Sequence, residues 1–333
     1  MLAAITLGYH LSTEEHAPVD LVRYARMAED AGFDFVTMSD HFHPWLDDQG
    51  QSPFAWSMLG AVAQATNRVQ FGTAVTAPIM RYRPEIIGQA AATVASLAPG
   101  RFFLGVGTGE NLNEHILGRH WPPIATRQEM LVEAVDIIRA LWRGEWTSHH
   151  GEYFTVEDAR VYTMPDAPPP IYMAAVGPQS AEIAGRIADG FISTSPKAEL
   201  VQAFDRAGGQ GKPRYGQMSA CWAKDMATAR KNAYASWRTE IVPGPLHANL
   251  PLPDDFDQIS QLGSEDDVAK KIPLGPDPET YLTSIQKYID AGFDHLFLHQ
   301  IGHDQEGFFD FISREVMPKI GRQPAGASVS RGA

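Results

Sequence analysis

The sequence predicts an α/β protein, a parallel (β/α)8 barrel, and three observations carry that expectation. Asp30-Ala31-Gly32-Phe33-Asp34 recurs letter for letter as Asp290-Ala291-Gly292-Phe293-Asp294, with variants at Ala188-Asp189-Gly190-Phe191 and Pro99-Gly100-Arg101-Phe102. Each unit ends a helix, turns on glycine and starts a strand with an aromatic residue. About eight short apolar stretches alternate with helical ones, the pattern of a parallel sheet closed by right-handed crossovers. Polar and ionisable residues gather just past the carboxyl ends of those stretches, where parallel barrels carry their chemistry. A doubly wound open sheet is the second arrangement that this pattern permits.

Residues 4–9 form the first predicted strand. Pro18–Ala31 follows as a helix with Leu21, Val22, Ala25 and Ala28 along one stripe, and Gly32 ends it. The next strand, Phe35–Met38, stops abruptly at Ser39, Asp40 and His41. Helix 53–66, strand 69–75, helix 84–98 and strand Phe102–Val106 continue the alternation. A long helix is expected over 127–142, with Met130, Val132, Ala134, Ile137, Ile138 and Leu141 as its apolar residues. Residues 146–162 read as a hairpin insertion. Strands at 171–175, 191–194, 218–222 and 295–298 complete the set, separated by helical stretches such as 179–188 and 278–291. Residues 243–263, rich in proline, aspartate and leucine without a clear period, read as a lid-like loop. The expected organisation is one barrel domain over 1–320 and a disordered tail over 321–333.

The 333-residue chain can bury a large core, and its 44% hydrophobic and 20% charged content fits a globular protein. A net charge of −13 argues against nucleic acid as the main partner. The single cysteine, Cys221, excludes an internal disulfide and a cysteine-built zinc site. Residues 1–9 lack a basic start followed by a long apolar stretch, and no apolar run approaches the roughly 20 residues that span a bilayer. A cytoplasmic protein without membrane partners is expected. His149-His150 and the pair His115/His120 lack the carboxylate spacing of a metal motif, so no metal is expected.

Residues 35–45, FVTMSDHFHPW, are the focus of the strand ends. Asp40 beside His41 can orient or charge the imidazole, and Trp45 can wall a flat ligand; a capping aspartate and a surface histidine are the plainer alternative. The third strand end supplies Gly72, Thr73, Ala74 and Val75, and the fourth Gly107, Thr108, Gly109, Glu110 and Asn113. The fifth supplies Val176 and Gly177, the sixth Thr194, Ser195 and Lys197, the last His299 and Gln300. An acid, a base, small residues and a lysine on one face suit proton and hydride chemistry on a bound planar cofactor. The glycine-rich stretch 105–110 lacks the third glycine of a dinucleotide fingerprint. It reads as a strand end that lets a ring or phosphate approach the backbone, or as a tight turn. Lys197 can hold a phosphate with help from the helix that follows, or be solvated.

Ser39-Asp40-His41-Phe42 with Trp45, Gly72-Thr73-Ala74-Val75, Gly105-Val106-Gly107-Thr108-Gly109-Glu110 with Asn113, and Gly190-Phe191-Ile192-Ser193-Thr194-Ser195 together resemble the luciferase-like barrel family. Within it the chain is similar to the branch of coenzyme F420-dependent glucose 6-phosphate dehydrogenases, from Leu7 to about Ile320 and including Gly302-His303-Asp304-Gln305.

The resemblance implies a TIM-type barrel with insertions, a homodimer, and a bound deazaflavin, coenzyme F420. It implies a dehydrogenase that moves a hydride from a hydroxyl-bearing carbon of a sugar, sugar phosphate or related alcohol. It implies His41 as the base, Trp45 as a stabiliser of the bound pair and Glu110 as the proton donor. Asp40, Ala74, Val75, Gly107, Asn113, Val176 and Gly177 would line the cofactor, with a non-proline cis peptide at Ala74–Val75. Thr194, Lys197, His247 and Lys271 would meet the substrate. Three basic residues hold phosphate in the sugar-phosphate enzymes. Here Lys197 matches the first, His247 stands near the second, and Lys271 replaces an arginine, which loses the planar fork. An FMN-dependent luciferase-like monooxygenase and a carbonyl reductase using reduced F420 are the alternatives that the same barrel admits.

Overall fold

The computed structural model describes residues 2–321, and the expected tail beyond Gly321 lies outside them. Eight strands form the centre: β1 Thr6–Leu11, β2 Phe35–Met38, β3 Gln70–Thr73, β4 Phe102–Val106, β5 Ile171–Ala174, β6 Gly190–Ser193, β7 Arg214–Ala220 and β8 His295–Gln300. They pair in parallel and in chain order into a closed barrel. Closure excludes the open sheet. Strand β1 runs further than expected because Leu11 stays in register with Met38.

The repeated pentapeptide is a splice between helix and strand. Gly32 ends helix Pro18–Ala31 at φ 92°, and Gly292 follows helix Pro278–Asp290 at φ 94°, both in the left-handed region that favours glycine. The next phenylalanines, Phe33 and Phe293, are buried. The closing aspartates then brace a neighbouring strand: Asp34 accepts from the Leu7 amide at 3.2 Å, and Asp294 from the Arg214 amide at 2.9 Å.

Alternation along each strand sends one set of side chains into the helical layer and the other into the lumen. Phe35, Phe103, Tyr172, Ile192, Tyr215 and Phe297 fill the lumen as one cluster. Its rings sit about van der Waals distance apart, as in Phe103–Tyr172 and Tyr172–Tyr215, both at 5.0 Å between centroids. Two residues further along β1, β2 and β8, the same inward positions hold His10, Thr37 and His299. His10 Nδ1 meets Thr37 Oγ1 at 2.8 Å, and the rings of His10 and His299 are 5.2 Å apart. The lumen thus changes from an aromatic plug to a polar layer just beneath the mouth.

Two excursions leave the barrel. Strands Thr147–His150 and Thr155–Ala159 pair antiparallel as the hairpin within 146–162. The expected lid-like loop at 243–263 is largely helical, with helices Gly244–His247 and Pro253–Ser260. Two of its prolines, Pro245 and Pro253, occupy first helical turns, where a missing N–H costs nothing. Phe256 is fully buried and packs with Trp45, Leu46, Leu112, Trp237 and Val242 in a second apolar cluster.

Candidate functional site at the barrel mouth

His41 is placed by the end of β2. Its Nδ1 donates to the His43 carbonyl at 3.1 Å, which leaves Nε2 as the nitrogen that exchanges protons. Two carboxylates face that atom: Glu14 Oε1 at 3.3 Å and Glu110 Oε2 at 3.6 Å. The His41 side chain is 10% exposed, Glu14 3% and Glu110 35%. Glu14 is the residue the sequence reading missed. The strand-end logic, applied to β1, leads straight to it through Ser12-Thr13-Glu14-Glu15.

The two carboxylates differ in their surroundings. Glu14 Oε2 accepts from the hydroxyls of Ser12 at 3.0 Å, Thr13 at 3.4 Å and Ser39 at 2.6 Å. Burial pushes its pKa upward, but the His41 charge and the Ser39 hydrogen bond outweigh burial and hold it at about 2. Glu110 receives one long bond, from Asn113 Nδ2 at 3.4 Å. Burial raises its pKa, against the opposing charges of His41 and His247.

Trp45 lies against the His41 ring at 4.9 Å and is itself covered by His247 at 4.9 Å and Phe256 at 5.1 Å. It is only 7% exposed, so it props the imidazole from behind as much as it walls a ligand. His247 Nε2 donates to the Thr239 carbonyl at 2.8 Å, which fixes its ring on Trp45.

Asp40, adjacent to His41, is turned wholly into the protein. Its carboxylate accepts from Thr76 Oγ1 at 2.6 Å, Arg81 Nη2 at 2.9 Å and the Tyr82 hydroxyl at 3.1 Å. Asn113 Oδ1 accepts from the Phe42 amide at 2.8 Å and so ties the histidine loop to Glu110. Both residues therefore shape the pocket through the chain around them.

Ala74, Val75 and Gly107 form the floor beside this cluster. The Ala74–Val75 peptide is cis, as the resemblance implies. Ala74 and Val75 pack on the aromatic plug. A Cβ on Gly107 would come 2.6 Å from Val75 Cγ2, so a larger residue there would force Val75 to shift. A Cβ on Gly177 would meet nothing within 4 Å, which leaves open space over the fifth strand end. Val176 points outward, 74% exposed. A floor of backbone and small side chains next to an imidazole and two carboxylates fits a flat ring cofactor.

The remaining expected substrate contacts lie apart from these bonds. Thr194 and Lys197 are exposed, and the Thr194 carbonyl accepts from the Tyr288 hydroxyl. Lys271 donates from Nζ to the Glu240 carbonyl and lines a surface hollow with Lys270, Asp277, Glu279 and Lys287. None of His41, Trp45, Glu110 or His247 borders that hollow. His299 and Gln300 are structural here. His299 Nε2 pairs with Glu15 at 2.7 Å, and Gln300 bonds the Trp222 backbone through both amide atoms.

Residues 1–295 match the family described as luciferase-like monooxygenase. Proteins named F420-dependent glucose-6-phosphate dehydrogenase from Kribbella flavida and Amycolatopsis mediterranei are 39% and 37% identical, each comparison covering 95% of this chain and 98% of the relative. Among solved structures, an F420-dependent secondary alcohol dehydrogenase in complex with an F420–acetone adduct is similar at a TM-score of 0.87 and 31% identity, over 95% of this chain and 98% of that one. The coenzyme F420 dependent tetrahydromethanopterin reductase from Methanopyrus kandleri shares the fold at a TM-score of 0.78 and 21% identity, over 96% of this chain and all of that one. The chain belongs to the luciferase-like monooxygenase family.

Proposed function

We propose that this protein is a coenzyme F420-dependent dehydrogenase that oxidises a hydroxyl-bearing carbon of a sugar, sugar phosphate or related alcohol. The observation that carries the reading is His41 Nε2, facing two carboxylates at a barrel mouth whose floor is open backbone and small side chains. The relatives named F420-dependent dehydrogenases support the cofactor and the reaction class. Ala74, Val75, Gly107 and Gly177 would hold the ring, and the deazaflavin supplies a two-electron hydride acceptor when bound.

The chain's own part is proton management and positioning. His41 takes the hydroxyl proton, Trp45 holds the imidazole in place, and Glu110, beside His41, is the proton donor. His247 closes the aromatic wall over Trp45. Engagement of Lys271 by the Glu240 carbonyl, with Lys197 outside the bonded cluster, favours an unphosphorylated alcohol or sugar over glucose 6-phosphate.

The test is reduction of oxidised F420, followed by visible absorbance, with small secondary alcohols, free glucose and glucose 6-phosphate. Bleaching with the unphosphorylated substrates is the expected result. Bleaching with the sugar phosphate alone overturns the substrate preference. Absence of bleaching with every alcohol, together with FMN binding and oxygen consumption, would replace the dehydrogenase by a monooxygenase.

The same reading takes the protein as a cytoplasmic homodimer. Among the described residues, no helix is long and apolar enough to cross a membrane. Large apolar side chains stand exposed at Phe54 and Ile86, and a second copy would cover such side chains. Sedimentation at micromolar concentration decides that point, a monomer being the contrary result.

A further inference from the structure

We propose that His41 and Glu110 are a hand-off pair: the proton that His41 Nε2 takes from a substrate hydroxyl passes directly to Glu110 Oε2 and stays within the site. This deepens the dehydrogenase reading and rests on it. Geometry carries the step. The Nδ1–H is committed to the His43 carbonyl, so a proton gained at Nε2 must also leave from Nε2. Within reach of that nitrogen stand Glu14 and Glu110, at 3.3 and 3.6 Å. Catalytic contacts of this length tighten in the substrate complex, and a few tenths of an ångström bring the farther one to hydrogen-bond distance.

The two carboxylates are not equivalent acceptors. Three hydroxyls already donate to Glu14 Oε2, a set that favours the ionised form. Glu14 therefore holds the imidazolium as a fixed counter-charge. Glu110 accepts one long side-chain hydrogen bond, from Asn113, and is 35% exposed, so it can accept the proton and turn toward the pocket. Burial shifts its carboxyl toward the protonated form, in the same direction.

In the step the Nε2–H bond breaks and an O–H bond forms on Glu110. The imidazolium returns to imidazole, the carboxylate becomes a carboxylic acid, and no electrons move. The titratable groups facing His41 are Glu14, Glu110 and His10, the last kept neutral by burial. Those facing Glu110 are His41, His247, Glu14 and Arg127. Arg127 is held by the carbonyls of Pro122, Thr108 and Gly109, so its charge is a constant background.

The experiment titrates the cofactor-free protein. Nitrogen-15 NMR follows His41 Nε2, and infrared difference spectra follow carboxylic C=O stretches, assigned by their loss in Glu110→Gln and Glu14→Gln. The hand-off predicts two titration steps at Nε2, one of them shared with the Glu110 C=O band. It predicts one step in Glu110→Gln and two weakly coupled steps in Glu110→Asp. A single, unchanged step in wild type and Glu110→Gln overturns the proposal, as does a shared band that disappears in Glu14→Gln instead. Failure of F420 reduction with every alcohol would sink the dehydrogenase reading while leaving the titration intact. Turnover with uncoupled titrations would sink the hand-off alone.

Discussion

The cluster around His41 and the basic rim around Lys197 and Lys271 stand at opposite extremes of organisation. In the cluster, Trp45 is fixed by His247 and Phe256, His41 by the His43 carbonyl and Glu14 by three hydroxyls, while Glu110 receives one long bond. At the rim, the lysines are exposed, and the bond given to Lys271 is to a backbone carbonyl. Preorganised groups lower a barrier because their ordering cost is met during folding. Exposed lysines must be ordered anew by each substrate, and that cost tells against tight phosphate recognition.

The largest effect that follows from this contrast belongs to His41. Replacing it with alanine removes the base and leaves the floor of Ala74, Val75 and Gly107 untouched. Turnover should fall by about 10³-fold, the range of general-base contributions, while cofactor affinity measured by fluorescence stays within about twofold. An equal loss of both would make His41 a cofactor contact and erase the distinction between cluster and floor.

Asp40 ranks next, and its effect falls on stability. Its carboxylate is fully enclosed and balances Arg81, itself 8% exposed. Asp40→Asn leaves that guanidinium short of a counter-charge, since Glu114 Oε1 is 3.8 Å from Arg81 Nε and burial pushes the Glu114 carboxyl up to about 7. A loss of about 3 kcal/mol in denaturant unfolding is expected, as for a broken buried ion pair. A change below about 1 kcal/mol would show that Glu114 ionises and takes over.

The barrel and most of the cluster were legible because both depend on residues near each other in sequence. The Asp-Ala-Gly-Phe-Asp repeat encodes a helix end, a turn, a buried ring and a strand brace in five letters. His41, Trp45, Glu110 and the cis Ala74–Val75 bond lie within motifs at strand ends. Glu14 was missed because β1 runs to Leu11, which moves its end past the expected boundary. Asp40 was singled out by its strand-end position, but its place as a buried anchor was not legible, since Thr76, Arg81 and Tyr82 come from another strand end. The helices of 243–263 escaped because each is too short for its period to register, and their packing against Trp45 is a long-range fact.

The polar layer under the mouth gives a smaller, pH-dependent signal. Burial above all, with His299 beside it, pushes His10 down to about 3. The folded protein therefore keeps His10 neutral while the unfolded chain binds a proton below about 6.5. Stability falls as pH drops from about 6.5 toward 3, and above that window His10 has no effect. Glu14 acts in the same direction lower down, its contribution being present above about 4.5 and lost as pH falls toward 2. His10→Asn should flatten the pH dependence of unfolding between about 6.5 and 4.5. An unchanged slope there would mean that His10 is protonated in the fold, with Glu14 as its counter-charge.

The smallest effect is expected at the rim, and it sharpens the contrast most. Lys197→Ala and Lys271→Ala each remove an exposed charge, worth at most about 1 kcal/mol in water. With an unphosphorylated alcohol, kcat and KM should both stay within about twofold. With glucose 6-phosphate, any rise in KM should stay below about fivefold and shrink further at high salt, because exposed charges are screened. A far larger rise confined to the sugar phosphate, with kcat preserved, would mean that the two lysines converge on a bound phosphate. The rim would then be organised by its ligand rather than by the fold, and the preference for unphosphorylated substrates would fall.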